Sequence, residues 1–341
     1  MKNIALIFPG QGAQKVGMGL EFYQSSPEAK AIFDQADEIF SQCHCEEPEG
    51  RRATASVGQY DRSNISQVIF EGPEEKLTST AYCQPAILTM SMAALKAFEA
   101  HPKYKEFSIK FTAGHSLGEY AALAAGGVMS FSDTLRLVQK RAACMETAAK
   151  ENPGSMAAVI GFDVIKLVEI CRETGAQIAN FNSNEQIVIT GSQEKVAAAI
   201  EAIKAAGGQK VIPLAVSGAF HSSLMSSAAS KFAEALKDVK FNPAIVPVLS
   251  NVTGLPHYFT TVIPAKAGIQ DIEQIRQNLA RQITDSVQWV KCVEYIASQG
   301  ITHFIEIGPG KVLKGLIRRI NPALTVSNIE KPQDIEALIL P

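Results

Sequence analysis

The sequence predicts an α/β protein in two parts: a large unit built on a mostly parallel sheet, and a smaller ferredoxin-like unit inserted into it. Two observations carry this. Short β-prone segments end in glycine turns and run straight into helical patterns, as residues 4–8 do before Pro9-Gly10-Gln11-Gly12 and residues 301–307 before Gly308-Pro309-Gly310. That alternation is what a parallel sheet with crossover helices needs. One internal stretch has a different rhythm: β-prone residues at 156–160, a helical pattern at 164–173, β-prone runs at 177–181 and 186–190, a helical pattern at 194–206 in which Val196, Ile200 and Ile203 share a face, and a closing run at 210–216. The order βαββαβ is that of a ferredoxin-like unit. The expected boundaries are residues 1–149 and 217–341 for the large catalytic unit and 150–216 for the small one.

Composition supports a packed core and excludes some partners. A chain of 341 residues that is 46% apolar can bury a substantial interior. With 32 basic and 34 acidic side chains the net charge is −2, so no global field draws in nucleic acid or an anionic membrane, and neither is expected as a partner. The first apolar run stops at Pro9-Gly10, too short for a signal peptide, and no run nears the ~20 residues that cross a bilayer, so a cytoplasmic location is expected. Six cysteines are scattered, and Cys43-His44-Cys45 has no second pair at finger-like spacing; reduced thiols and no metal are expected. Residues 43–66 and 257–268 lack a clear period and read as surface insertions.

The sharpest motif is Gly114-His115-Ser116-Leu117-Gly118-Glu119-Tyr120, a Gly-x-Ser-x-Gly between an apolar run and an alanine-rich helix. That is the setting of a nucleophile elbow, in which a serine on a tight strand-to-helix turn projects its hydroxyl above the sheet, and it gives the large unit an α/β-hydrolase-like character. Ser116 also falls at a helix N-terminus, where the free N–H of Leu117 favours negative charge on a tetrahedral intermediate.

A serine hydroxyl needs a base within reach. His115 is adjacent but points away from a tight turn and reads as a packing residue. His44, His101, His257 and His303 have polar or loop-like neighbours and read as surface residues. His221 stands apart: it follows the 210–216 run and the turn Ser217-Gly218-Ala219-Phe220, and precedes a helical start, a strand-end position from which an imidazole can face a site.

With these residues identified, the chain resembles the malonyl-CoA:acyl-carrier-protein transacylases of fatty acid synthesis and, more distantly, the acyltransferase domains of polyketide synthases. The resemblance runs nearly end to end, through Phe8-Pro9-Gly10-Gln11-Gly12-Ala13-Gln14, Gln84-Pro85-Ala86, the elbow, Asn180-Phe181-Asn182-Ser183, Gly218-Ala219-Phe220-His221, Val287-Gln288-Trp289 and the stretch from Glu306 to Val312. It implies that Ser116 is the acyl-bearing nucleophile and His221 its general base. It implies that the backbone N–H groups of Gln11 and Leu117 form the oxyanion hole, and that the backbone carbonyl of Gln282 orients the imidazole in place of an acid. Arg141 is implied to hold the free carboxylate of malonate, since a planar guanidinium pairs bidentately with it and a neutral acetyl group would leave it unpaired. Asn180 is implied to line the cleft, and Phe220 to stand where a methyl branch would clash. The substrates implied are malonyl-CoA and a holo acyl carrier protein, with no bound cofactor; Lys311, Lys314, Arg318 and Arg319 are candidate contacts for an acidic carrier.

Three rivals are weaker. A patatin-like hydrolase wants an Asp-Gly dipeptide and a lipase a His-Gly-Gly strand, and neither occurs. A catalytically silent carrier-docking module does not need Ser116, His221 and Arg141 together. Nucleotide binding fails on spacing: Gly10-x-Gly12 is followed by Lys15 where a third glycine belongs, and Gly310-Lys311-Val312 lacks the Walker hydroxyl.

Overall fold

A computed structural model describes residues 1–42, 64–216, 218–257 and 269–338. Among these residues the strands are β1 (Lys2–Phe8), β2 (Phe107–Gly114), β3 (Ser155–Ile160), β4 (Gln177–Ser183), β5 (Gln186–Gly191), β6 (Lys210–Pro213), β7 (His303–Ile307) and β8 (Thr325–Ile329). They form two sheets, ordered β2-β1-β7-β8 and β4-β5-β3-β6. The first is parallel throughout and the second antiparallel throughout, so the expected α/β class, with a parallel sheet and a separate small antiparallel one, is what the chain adopts.

The pattern of β1 explains why the parallel sheet is central. Residues 4–8 are all buried, which a strand covered on both faces demands. Ile4, Leu6 and Phe8 join one apolar cluster and Ala5 and Ile7 another, so the period-2 alternation of a strand divides the core into two layers. The helix Thr80–Ala100 lies in the first layer and is buried on nearly every face, as its mostly apolar sequence favours. The helices Trp289–Ser298 and Val312–Ile320 cover the other face.

In the small sheet, β3, β4, β5 and β6 with the helices Val164–Thr174 and Gln193–Ala205 follow in the order βαββαβ. Both helices pack on one face of the sheet, where Leu167, Ile170, Val196, Ala199 and Ile203 meet Ala157, Val159, Ile187 and Ile189. The last strand is shorter than the 210–216 run: it ends at Pro213, which lacks an N–H for the ladder and sits on the sheet edge. The other edge, β4, is tied into the large unit by Phe181 N–H to Val287 O (2.9 Å) and Val287 N–H to Ala179 O (2.8 Å).

The expected insertion at 43–66 is too long at its far end, because Ile65 is fully buried and opens the helix Ile65–Glu71. Residues 43–63, with Cys43-His44-Cys45, and residues 258–268 lie outside the described residues. No helix among the described residues is long and apolar enough to cross a membrane.

The two-layer packing sets a stability contrast. Phe304→Ala, in the fully buried β7 position, is expected to cost about 3–5 kcal/mol. Ile165→Ala, 71% exposed on a small-unit helix, should change stability by less than about 0.5 kcal/mol. Urea midpoints of the two variants against the parent check this.

Candidate active site

The site begins where β2 runs out. Gly114 closes the strand and the helix Gly118–Ala125 starts four residues on, so the chain must reverse over His115-Ser116-Leu117. Ser116 takes φ 50°, a left-handed conformation that a non-glycine residue holds only under compulsion. Asn251 supplies it: its Oδ1 accepts the Ser116 N–H at 2.6 Å and its Nδ2 donates to Gly114 O at 2.7 Å. The flanking glycines are required by contact. A Cβ on Gly114 would lie 1.9 Å from the carbonyl carbon of Gly118, and one on Gly118 would lie 2.1 Å from Phe8 O.

His221 reaches this elbow from 105 positions along the chain, with Nε2 2.9 Å from Ser116 Oγ. Its Nδ1 lies 2.8 Å from the backbone carbonyl of Gln282. A carbonyl can only accept, so Nδ1 carries the ring proton and Nε2 faces the hydroxyl with its lone pair. Burial first, and then the nearby Arg141 charge, hold the imidazole pKa down to about 3, which keeps it neutral at physiological pH. His221 is itself left-handed at φ 57°.

Arg141, on the helix Phe131–Glu151, is 1% exposed. Nη1 donates to Gln84 Oε1 (2.6 Å), while Nη2 donates to Gln282 Oε1 (3.0 Å) and to Ser116 Oγ (3.2 Å). The guanidinium carbon lies 5.3 Å from the Tyr120 ring centroid. Among the described residues every hydrogen-bond partner is neutral and Nε has none, and burial pushes the guanidinium pKa down. A fork this deep, bonded to Ser116 Oγ and, among the described residues, to no carboxylate, has the donor geometry that suits an anion.

The remaining expected residues fall at different depths. Among the described residues the backbone N–H of neither Gln11 nor Leu117 donates to a protein acceptor. The loop of Gln11 is pressed on the elbow, since a Cβ on Gly10 would meet His115 O at 2.4 Å. Asn180 is 7% exposed at the bridge to Val287, and its neighbours Ile178 and Phe181, with Arg281 and Gln288, line a groove of ≈ 610 Å³ that opens at His221. Phe220 is 5% exposed in the main core. His115 packs edge-on to Trp289 and bonds Asn182 Oδ1 at 2.7 Å, the packing role expected of it.

Two histidines differ from the sequence reading. His303 is buried in β7, and His257 is 2% exposed with Nε2 2.8 Å from Glu119 Oε1, so neither is a surface residue. Glu119 Oε2 also accepts Gln282 Nε2 (2.6 Å) and Asn251 N–H (3.0 Å). Gln84, Glu119, Asn251 and His257 therefore belong to the site without having been assigned to it. Gln84 carried a signal, as the one amide side chain of a mostly apolar helix; Asn251 and His257 come from a loop whose pairing no local pattern reveals.

Comparison with known proteins agrees with this geometry. The family model of the acyl transferase domain matches residues 51–326. The malonyl CoA-acyl carrier protein transacylase of Bacillus subtilis is 40% identical over 346 residues, which is 99% of this chain and 97% of that protein. The acyl-carrier-protein-S-malonyltransferase of Bartonella henselae superposes with a TM-score of 0.84 at 36% identity, covering 99% of this chain and 98% of that one. A malonyl-transacylase solved in complex with its type II PKS acyl-carrier protein superposes with a TM-score of 0.84 at 32% identity, over 99% and 98% of the two chains. The chain belongs to the acyltransferase family of malonyl CoA-acyl carrier protein transacylases.

Proposed function

We propose that this chain transfers a malonyl group from malonyl-CoA to the phosphopantetheine thiol of an acyl carrier protein, through an ester on Ser116, and so supplies extender units for fatty acid synthesis. The observation that carries the reading is the buried Arg141 fork bonded to the nucleophilic oxygen, beside a neutral imidazole. The names of the full-length relatives support the same substrates.

In the first half-reaction His221 Nε2 takes the Ser116 proton as Oγ attacks the thioester carbonyl. The oxyanion is met by the Gln11 and Leu117 N–H groups, and Arg141 holds the distal carboxylate. The C–S bond breaks, the proton on Nε2 passes to the departing thiolate, and malonyl-Ser116 remains. The second half-reaction reverses these steps with the carrier's thiol as nucleophile, its proton going to Nε2 and then back to Ser116. Protein groups supply each step, so the reading needs no resident metal or cofactor. The exposed Lys311, Lys314, Arg318 and Arg319 lie on and before the helix Val312–Ile320, next to the turn whose Gly310 packs on Ala13 of the Gln11 loop, and are the contacts we assign to an acidic carrier. Phe220 is assigned the rejection of branched acyl groups. The unpaired thiols of Cys83, Cys144, Cys171 and Cys292 fit a cytoplasmic location.

Three measurements test this. Intact mass after mixing with malonyl-CoA should show a malonyl adduct on the parent and none on Ser116→Ala. Arg141→Ala should lower kcat/KM for malonyl-CoA by about 10²- to 10³-fold while acetyl-CoA loses far less, because only malonate pairs with the fork. An adduct on Ser116→Ala, or equal losses for both thioesters, would contradict the reading. The pH profile is the third test. A histidine pKa lowered in the folded protein leaves the base unprotonated to lower pH, so acylation should stay level down to about pH 5 and fall only below it. An acid limb near pH 6.5 would contradict it.

A further inference from the structure

We propose that Glu119, held against His257, is the positioning residue that fixes both the malonate-binding fork and the elbow; this rests on the function proposed above. The carboxylate is fully buried and meets three groups: Gln282 Nε2 at 2.6 Å, His257 Nε2 at 2.8 Å and Asn251 N–H at 3.0 Å. Among the described residues its oxygens bond neither Ser116 Oγ, His221 nor the Arg141 guanidinium, so it acts through its neighbours.

The action on Arg141 follows from amide geometry. A carboxylate can only accept, so it fixes Nε2 of Gln282 on its own side and turns Oε1 to the guanidinium, where it accepts from Nη2 at 3.0 Å. The same Nε2 also donates to Ser116 O at 3.0 Å. With the amide reversed, an NH₂ group would face the guanidinium, donor against donor. Gln282 also presents the carbonyl that orients His221, so one residue carries the influence of Glu119 to both base and fork. The action on the elbow runs through Asn251, whose backbone N–H is held by Glu119 while its side chain clamps Ser116 and Gly114.

His257 completes the hub. Backbone bonds from Ser250 N–H to Leu255 O and from His257 N–H to Val248 O, both 2.9 Å, fold residues 250–257 so that Asn251 and His257 flank the same carboxylate. Asn278, one helical turn before Gln282, brings Nδ2 to 3.3 Å from His257 Nδ1. That donor leaves the ring proton on Nε2, which lies 2.8 Å from Glu119 Oε1 as a close polar contact not aligned as a hydrogen bond.

The test is a double-mutant cycle on single-turnover acylation of Ser116 by malonyl-CoA and by acetyl-CoA, using Glu119→Gln, Gln282→Met and the pair. Gln282→Met keeps the backbone carbonyl on His221 and removes only the amide. Each single variant should slow malonyl transfer by about 10- to 100-fold, the factor carried by a charge-assisted hydrogen bond. Each should also narrow the malonyl-over-acetyl preference. On that preference the losses overlap, so the pair should lie within about twofold of Gln282→Met alone. Preference losses that multiply, or a Glu119→Gln variant with the parental rate and preference, would overturn the proposal. If Glu119→Gln does not fold, His257→Leu takes its place in the cycle with the same outcomes. A parent that took no malonyl group would overturn the functional reading itself, whereas normal parental acylation with multiplying losses would overturn only this inference.

Discussion

A guanidinium taken out of water must be surrounded by groups that replace its hydration, and the centre of this protein is arranged to do so for Arg141. Gln84 and Gln282 offer amide oxygens, Tyr120 offers its ring face, and the Glu119 carboxylate lies one amide farther out. Among the described residues none of its direct hydrogen-bond partners is charged. A carboxylate in direct contact would neutralise the fork; placed one amide away, it offsets the cost of burial and leaves the fork free for the malonate carboxylate proposed to bind it.

The same network holds the backbone in a conformation it would not choose. Ser116 and His221, the two residues proposed to exchange the proton, are the only non-glycine residues with positive φ among those described. Such positions persist where the surroundings over-determine them. At Ser116 the constraint comes from Asn251 and the glycine contacts, while the His221 ring is held by the Gln282 carbonyl. The strain turns each side chain toward the other across the junction of two distant segments.

Burial also sets the chemistry of the base. A serine–histidine pair with an acid behind it stabilises the imidazolium; here a neutral carbonyl takes that place. Together with the nearby guanidinium, burial keeps the imidazole unprotonated. Such a base accepts a proton only as the reaction proceeds and gives it up readily to a thiolate, which suits the exchange of one thioester for another in the proposed reaction.

The sequence by itself determined the elements that local periodicity encodes: the fully apolar β1, the βαββαβ rhythm that became the small antiparallel sheet, and the elbow whose glycines are demanded by backbone contact. It also singled out His221, because a strand-end turn before a helix is a local pattern. It misjudged His257 and His303, whose polar neighbours in sequence say nothing about the buried carboxylate and sheet that cover them in space. The role of the Gln282 carbonyl as the acceptor that orients His221 came from resemblance, since a backbone oxygen leaves no trace in side-chain identity. Glu119, Asn251 and His257 were decided only by tertiary structure: their contacts join the elbow helix to a loop more than a hundred positions away, and hydrogen bonds across that separation have no period for a sequence to display.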